Sequence, residues 1–227
     1  MQTEIIGSHI STVDWHGRLS CVIFFNGCPL GCWYCHNRGR PFRRISCNDI
    51  VRNIIQSASM LDSIVFSGGE PLAHTAEINY IINNLQKYGL EYAIETSGYY
   101  ADNIYLLAGP NSIDQVFWDI KGDLTNPSDW RRRVVPQDAY SAAIQFAKNL
   151  AELDLRVEYR LTLYEGYAEQ QALNNIEYLM QIMPTPLQVR LQRCVTKNTD
   201  KIISRERIIN LKKRITQLYK NEVKVYA

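Results

Sequence analysis

Short runs of apolar and β-branched residues alternate along the chain with stretches in which apolar positions recur every three or four residues. The runs Leu19–Phe25, Ser63–Phe66, Glu91–Ile94, Gln115–Ile120, Arg156–Leu163 and Leu187–Leu191 each predict a strand. Helices are predicted over Asn48–Leu61, Thr75–Tyr88, Ala101–Ala108, Gln137–Leu153, Ala168–Met183 and Ser204–Tyr219. Asn48 and Thr75 read as N-caps, and Ile78, Ile81, Ile82 and Leu85 put an apolar stripe on the second helix. Strands alternating with helices form a parallel sheet through right-handed crossovers, so six such units predict an α/β fold. Periodicity alone does not choose between an open doubly wound sheet and an incomplete barrel. In both, the active site forms at the C-terminal strand ends. Five unusual features fall at those ends: a cysteine loop, Ser67-Gly-Gly-Glu-Pro71, Glu95-Thr-Ser-Gly98, the pair Asp119 and Lys121, and Arg160.

Composition narrows the class. With 227 residues, 46% hydrophobic and 21% charged, the chain reads as one globular domain over 1–227, and no apolar stretch has the length of a bilayer span. Met1-Gln-Thr-Glu-Ile-Ile-Gly7 lacks the basic region and apolar core of a secretory signal, which points to the cytoplasm. A net charge of +2 gives no argument for nucleic acid, so neither nucleic acid nor a membrane is an expected partner. The local basic clusters, Arg38, Arg40, Arg43 and Arg44, and then Arg131, Arg132 and Arg133, read as solvated surface, with partner docking as the alternative.

Three of the six cysteines lie in Asn26-Gly-Cys-Pro-Leu-Gly-Cys-Trp-Tyr-Cys-His-Asn37, spaced C-x3-C-x2-C. In a reducing compartment such a group points to metal or catalytic chemistry rather than disulfides. Zinc is one reading, but no second C-x2-C pair exists, and His36 directly follows Cys35, an awkward place for chelating the same ion. A cubane iron–sulfur cluster suits the spacing better. It takes one thiolate per iron, so three thiolates leave one iron open to a substrate or cofactor. Cys21 reads as core, Cys47 as near a helix start, and Cys194 has no assigned role.

With Tyr34 before its last cysteine, the motif resembles the signature of the radical S-adenosylmethionine superfamily. Thr12-Val-Asp-Trp-His-Gly17, Val22-Ile-Phe-Phe-Asn-Gly-Cys28 and Trp33-Tyr-Cys-His-Asn37 together resemble the N-terminal signature of the glycyl-radical-enzyme activases. These include the activating enzymes of pyruvate formate-lyase and of anaerobic ribonucleotide reductase. The signature spans about residues 11–42 and later motifs extend the resemblance to about residue 165; the last 60 or so residues match nothing. The resemblance implies a partial (β/α)6 barrel and one [4Fe-4S] cluster on Cys28, Cys32 and Cys35. It further implies S-adenosylmethionine chelated to the open iron and cleaved by one electron to a 5′-deoxyadenosyl radical. That radical takes hydrogen from a glycine of a partner glycyl radical enzyme, and a flavodoxin- or ferredoxin-type protein donates the electron. Only positions 36–66 separate Cys35 from Ser67, too few for the ferredoxin-like insertion of larger activases. That compactness favours anaerobic ribonucleotide reductase as the partner, with pyruvate formate-lyase the near alternative.

The same resemblance distributes roles over the other motifs. Gly68, Gly69 and Glu70 match the segment that meets the methionine amino group, where the glycines allow close backbone approach and Glu70 can accept from an ammonium. Tyr34 and His36 fall beside the cofactor, with the backbone and ring of Tyr34 at its adenine. Asp119 and Lys121 match an Asp-x-Lys motif at the methionine carboxylate, and their bland reading is a same-face salt bridge. Glu95 and Thr96 stand where the activases carry an acidic-Thr-Asn-Gly segment, with Glu replacing Asp and Ser replacing Asn. With Asp119 they form a candidate monovalent-cation site. Arg160 matches a fifth-strand arginine able to clamp a carboxylate or a peptide carbonyl, against a structural ion pair with Glu158. Asp14 matches an aspartate near the glycyl peptide and otherwise reads as a turn residue. Outside the activases stand a small-molecule enzyme of the same superfamily, such as a deazapurine synthase, and a structural zinc or iron–sulfur module.

Overall fold

The computed structural model describes residues 5–35, 37, 44–133, 136–167, 169–194 and 199–227. Eight strands form one sheet in sequential order: β1 (Ile5–Ser11), β2 (Ser20–Phe25), β3 (Ser63–Gly68), β4 (Glu91–Thr96), β5 (Gln115–Ile120), β6 (Arg156–Leu163), β7 (Leu187–Arg193) and β8 (Val223–Tyr226). From β2 to β8 every neighbour is parallel, and β1 runs antiparallel on the edge of β2. Sequential order with right-handed crossovers puts every connecting helix on one face, whereas a doubly wound sheet reverses direction at a switch point. The order therefore decides what periodicity left open, and the sheet is the incomplete barrel. The six predicted strands are its parallel core, and β1 and β8 extend it at the two edges.

The helices are α1 (Cys47–Ser57), α2 (Thr75–Leu85), α3 (Pro127–Arg133), α4 (Ala139–Glu152), α5 (Glu169–Ile182) and α6 (Arg205–Tyr219). Two N-cap expectations are corrected. Ser46, not Asn48, caps α1 by accepting from the Asp49 amide at 3.1 Å. His74 occupies the cap position of α2 without a side-chain capping bond, and Thr75 is the first helical residue. The stretch Ala101–Leu106 is a 3₁₀ helix, and α3 was not foreseen. A strand too polar to alternate cleanly, such as β1 with its exposed residues 8–10, gives the sequence reader little signal.

Strand alternation divides the side chains between two environments. Outward positions such as Ile23, Phe66, Ile94, Trp118 and Leu161 join the helices in the main core. Inward positions Val22, Val65, Ala93 and Phe117 form a small second core closed by Trp15, from the loop between β1 and β2. Trp15 meets Phe117 edge-on at 5.7 Å, and Arg18 and Arg156 lie over its ring at 5.6 and 5.8 Å. Both arginines pair with Glu91 at the start of β4, which fixes this plug at the N-terminal end of the strands. Toward the other end the inward positions become polar: Ser67, Glu95, Asp119, Glu158, Arg160 and Arg190, with Asp119, Arg160 and Arg190 in one transverse register.

Among the described residues no helix is long and apolar enough to cross a membrane. Trp15→Ala is expected to cost about 3–5 kcal/mol by emptying the inner core, while Val13→Ala, 79% exposed in the same loop, stays within about 0.5 kcal/mol. Urea unfolding of the two variants checks the contrast.

Candidate functional site

The C-terminal strand ends bring the predicted motifs into one neighbourhood. The cysteine loop leaves β2 at Phe25, and Cys32 is buried while Cys28 and Cys35 are exposed. A bond from the Cys35 amide to the Cys32 carbonyl, 3.2 Å, turns the chain between the last two thiols. Burial pushes the Cys32 thiol above its ordinary value, and the nearby Lys121 charge opposes that rise. Among the described residues no three His, Cys, Asp or Glu side chains converge on a point that could hold a single metal ion. A cubane cluster takes its thiolates one to each of separate irons. Three soft thiolate donors on one loop fit that cluster.

The loop does not stand alone. The Gly69 amide donates to the Phe25 carbonyl and the Glu70 amide to the Gly27 carbonyl, both at 2.8 Å. A Cβ on Gly69 would lie 1.9 Å from the Gly27 oxygen, and one on Gly68 2.5 Å from the Phe25 nitrogen; Gly68 also has φ +106°. The two glycines therefore admit the backbone of the cysteine loop itself.

Glu70 is held within the protein. Its fully buried carboxylate accepts from the Leu72 amide at 3.1 Å, the Ser97 amide at 3.0 Å, and the hydroxyls of Thr96 and Ser97. Four donors of the protein thus engage its two oxygens. Burial pushes this carboxyl above its usual range while the four donors pull it down. Its work is to lock the glycine turn to the end of β4.

Thr96 shares in that lock, and as the neighbour of Glu95 on a strand it points to the opposite face. Of the expected cation trio, Glu95 and Asp119 thus turn their side chains to the barrel interior and Thr96 turns its hydroxyl to Glu70. Glu95 is taken up by Arg160 and by the Ser67 hydroxyl. Arg160, nearly fully buried, uses its whole fork: Nε to Glu158 at 2.8 Å, one terminal nitrogen to Glu95, the other to the Asp14 carbonyl at 2.6 Å. Its guanidinium lies 3.8 Å from the centre of the Phe117 ring. The carbonyl that Arg160 clamps is the protein's own, and the ion pair with Glu158 forms as well. Asp14 is half-buried, and its carboxylate accepts from the Ser11 hydroxyl.

Asp119 and Lys121 pair at 3.0 Å. Burial pushes the Lys121 ammonium down, and Asp119, Tyr34 and Cys32 together more than offset it, holding it above its ordinary range. The second Asp119 oxygen, Oδ1, is buried without a partner, as is Asn37 Oδ1. Buried acceptors without donors are rare in a finished fold. The Asp119 acceptor beside the Lys121 ammonium suits a ligand carrying both an ammonium and a carboxylate. The Tyr34 ring stacks on Tyr164 at 6.0 Å, with Trp33 edge-on to both and the Lys121 nitrogen 5.9 Å from the ring centre. His36 lies outside the described residues, as do Arg38, Arg40 and Arg43.

Arg190, Tyr164 and His74 were not picked out from the sequence. For Arg190 the signal was available: Leu187, Val189 and Leu191 alternate on the outer face, so Arg190 falls on the inner one, where it grips Glu158 through two bonds of 2.8 Å. His74 carries no such mark.

The chain belongs to the radical SAM superfamily, whose family model matches residues 22–179, more than half of its length. Membership implies a [4Fe-4S] cluster and S-adenosylmethionine, and the donor set above fits both. The chain is 32% identical over 115 residues to a Methanocaldococcus jannaschii protein named as a glycyl-radical enzyme activating enzyme, covering 49% of this chain and 47% of that one. It is 26% identical over 176 residues to the pyruvate formate-lyase-activating enzyme of Staphylococcus aureus, covering 71% and 68% respectively. The match thus spans about half of the first relative and about two thirds of the second. Streptococcus suis SuiB, in complex with its precursor peptide SuiA, shares the fold with a TM-score of 0.70 at 16% identity, over 88% of this chain and 47% of that one.

Two outcomes follow from the geometry. Glu70→Gln turns an amide NH₂ toward donors and is expected to cost about 2–4 kcal/mol in urea unfolding. Burial pushes Glu158 up, but Arg190 and Arg160 together hold it below the ordinary carboxylate range. A depressed carboxyl adds stability that is present above the unfolded value, about 4.3, and disappears as pH falls through the folded value. Unfolding midpoints measured below about pH 4.3 should therefore fall less steeply in Glu158→Gln than in the wild type.

Proposed function

We propose that this chain is a glycyl-radical-enzyme activase. The observation that carries the proposal is the cysteine loop, bonded to the Gly68-Gly69-Glu70 turn at the C-terminal mouth of the barrel beside Lys121. The names of the curated relatives supply the reaction class. When bound, the cluster and S-adenosylmethionine supply the one-electron cleavage that yields a 5′-deoxyadenosyl radical, which takes hydrogen from a glycine of the partner enzyme.

The residues of the chain divide the remaining tasks. Cys28, Cys32 and Cys35 hold the cluster and leave one iron without a protein thiolate. Lys121 presents a charged ammonium to the methionine carboxylate, with Asp119 holding it in place. Gly68 and Gly69 set the backbone that faces the methionine amino group. Tyr34 borders the adenine from its place against Tyr164, with His36 two positions further along the chain. The network of Glu95, Arg160 and Glu158 shapes the wall of the barrel interior and holds Asp14 at the edge of the space where a glycyl peptide would enter. The partner is anaerobic ribonucleotide reductase or pyruvate formate-lyase: compactness between Cys35 and Ser67 supports the first, and the staphylococcal relatives support the second. A flavodoxin- or ferredoxin-type protein delivers the electron.

After anaerobic reconstitution with iron and sulfide, the protein should release 5′-deoxyadenosine from S-adenosylmethionine and dithionite, and Cys28→Ala, Cys32→Ala and Cys35→Ala should each abolish release. Lys121→Ala should weaken S-adenosylmethionine binding about tenfold to a hundredfold, since a hydrogen bond to a charged group is lost. Incubation with each candidate partner then selects between them by the glycyl radical doublet in electron paramagnetic resonance. No 5′-deoxyadenosine release overturns the enzymatic reading, and release without a doublet on either partner overturns activation of these two.

A further inference from the structure

We propose that His74 and Asn37 are positioning residues that hold the two ends of the cysteine loop, one before Cys28 and one after Cys35. The inference rests on the functional reading above and deepens it. A loop that presents three thiolates to one rigid group loses much conformational freedom on binding unless the protein has already ordered it. Among the described residues, and outside the strand ladder, the segment 25–37 is tied to the segment 68–74 by two kinds of bond. The first are the backbone bonds of Gly69 and Glu70, which depend on no functional side chain. The second depend on side-chain identity: His74 Nε2 lies 3.0 Å from the Asn26 carbonyl, and Asn37 Nδ2 donates to the Gly68 carbonyl at 2.8 Å.

The chemistry of the acceptors fixes both side chains. A carbonyl oxygen only accepts, so His74 carries a proton on Nε2 and donates. Its ring lies on that of Phe25, with centroids 4.8 Å apart and planes 11° from parallel. It therefore packs on the last residue of β2 while bonding the next residue along. His74 stands at the cap position of α2 yet makes no capping bond, so its side chain serves the cysteine loop rather than its own helix. Asn37 is oriented by the same logic, with its amide nitrogen toward Gly68 and its oxygen turned away. That oxygen is buried without a partner, a cost a purely structural residue would avoid. Neither residue is a thiolate ligand, and each fixes backbone within two residues of one.

The test uses the full chain, reconstituted anaerobically with iron and sulfide, in three variants. His74→Phe keeps the ring on Phe25 and loses the donor. His74→Gln keeps a donor and loses the ring. Asn37→Asp keeps the shape and sets an oxygen against the Gly68 carbonyl. The readouts are the EDTA concentration that removes half of the iron and the electron paramagnetic resonance spectrum of the reduced cluster with and without S-adenosylmethionine. Urea midpoints of the iron-free variants report folding.

His74→Phe and Asn37→Asp should each lower the EDTA midpoint about fivefold, the equivalent of one net hydrogen bond, and broaden the spectrum. His74→Gln should stay within about twofold of the wild type. Wild-type iron retention and spectra in His74→Phe and Asn37→Asp overturn the proposal, as does a His74→Gln loss as large as that of His74→Phe. If His74→Phe does not fold without iron, Asn37→Asp decides alone. A wild-type protein that binds iron but cleaves no S-adenosylmethionine overturns the functional reading, whereas intact cleavage with unaffected variants overturns only this inference.

Discussion

The site depends on one close approach of two backbones. The chain leaving β3 passes so near the chain leaving β2 that a methyl group on Gly69 would sit inside the Gly27 carbonyl. That contact lets two amides of the glycine turn bond two carbonyls just before Cys28. Glu70 then fixes the turn to the end of β4 through three donors of Thr96 and Ser97, and accepts a fourth bond from the Leu72 amide of its own turn. The order of dependence is therefore β4 to glycine turn to cysteine loop. A conformationally free loop would leave its three thiols scattered, and here the loop inherits its geometry from the sheet.

Below that mouth the barrel interior changes from apolar to charged over a few residues of strand. Trp15 and the inward residues of β2 to β5 close the lower end, and a chain of alternating charges runs from Arg190 through Glu158 and Arg160 to Glu95. Buried charges are tolerated when each is paired and hydrogen-bonded, and this chain meets that condition. It also ties Asp14, which precedes β2, to the strand interior: Arg160 donates to its carbonyl. The polar interior is thus a paired network, with Asp119 Oδ1 the acceptor in it that is buried without a partner among the described residues.

Much of this was legible in the sequence because it rests on periods and spacings. Gln115–Ile120 and Arg156–Leu163 are strands at their predicted bounds, since continuous β-branched and aromatic runs leave little choice. The cysteine, Gly-Gly-Glu and Asp-x-Lys segments meet because parallel topology brings the ends of successive strands together. What a side chain does at that mouth was less legible. Nothing in the identity of its neighbours announced that Leu72, Thr96 and Ser97 would bond the Glu70 carboxylate. Glu95 and Thr96 looked like co-ligands, and strand alternation, which the sequence does contain, sends them to opposite faces. The stacking of His74 on Phe25 joins residues 49 positions apart and leaves no trace in local pattern. Edge strand β1 was hidden by its polar, exposed middle.

The account holds that the cysteine loop is ordered by the glycine turn before any cluster binds. Amide hydrogen exchange of the iron-free protein measures this directly at Gly69 and Glu70, whose amides make the two bonds to the loop. Protection of both amides comparable to that of the β3 and β4 strand amides is the predicted result. Exchange at the rate of an open loop, with β3 and β4 still protected, would contradict it.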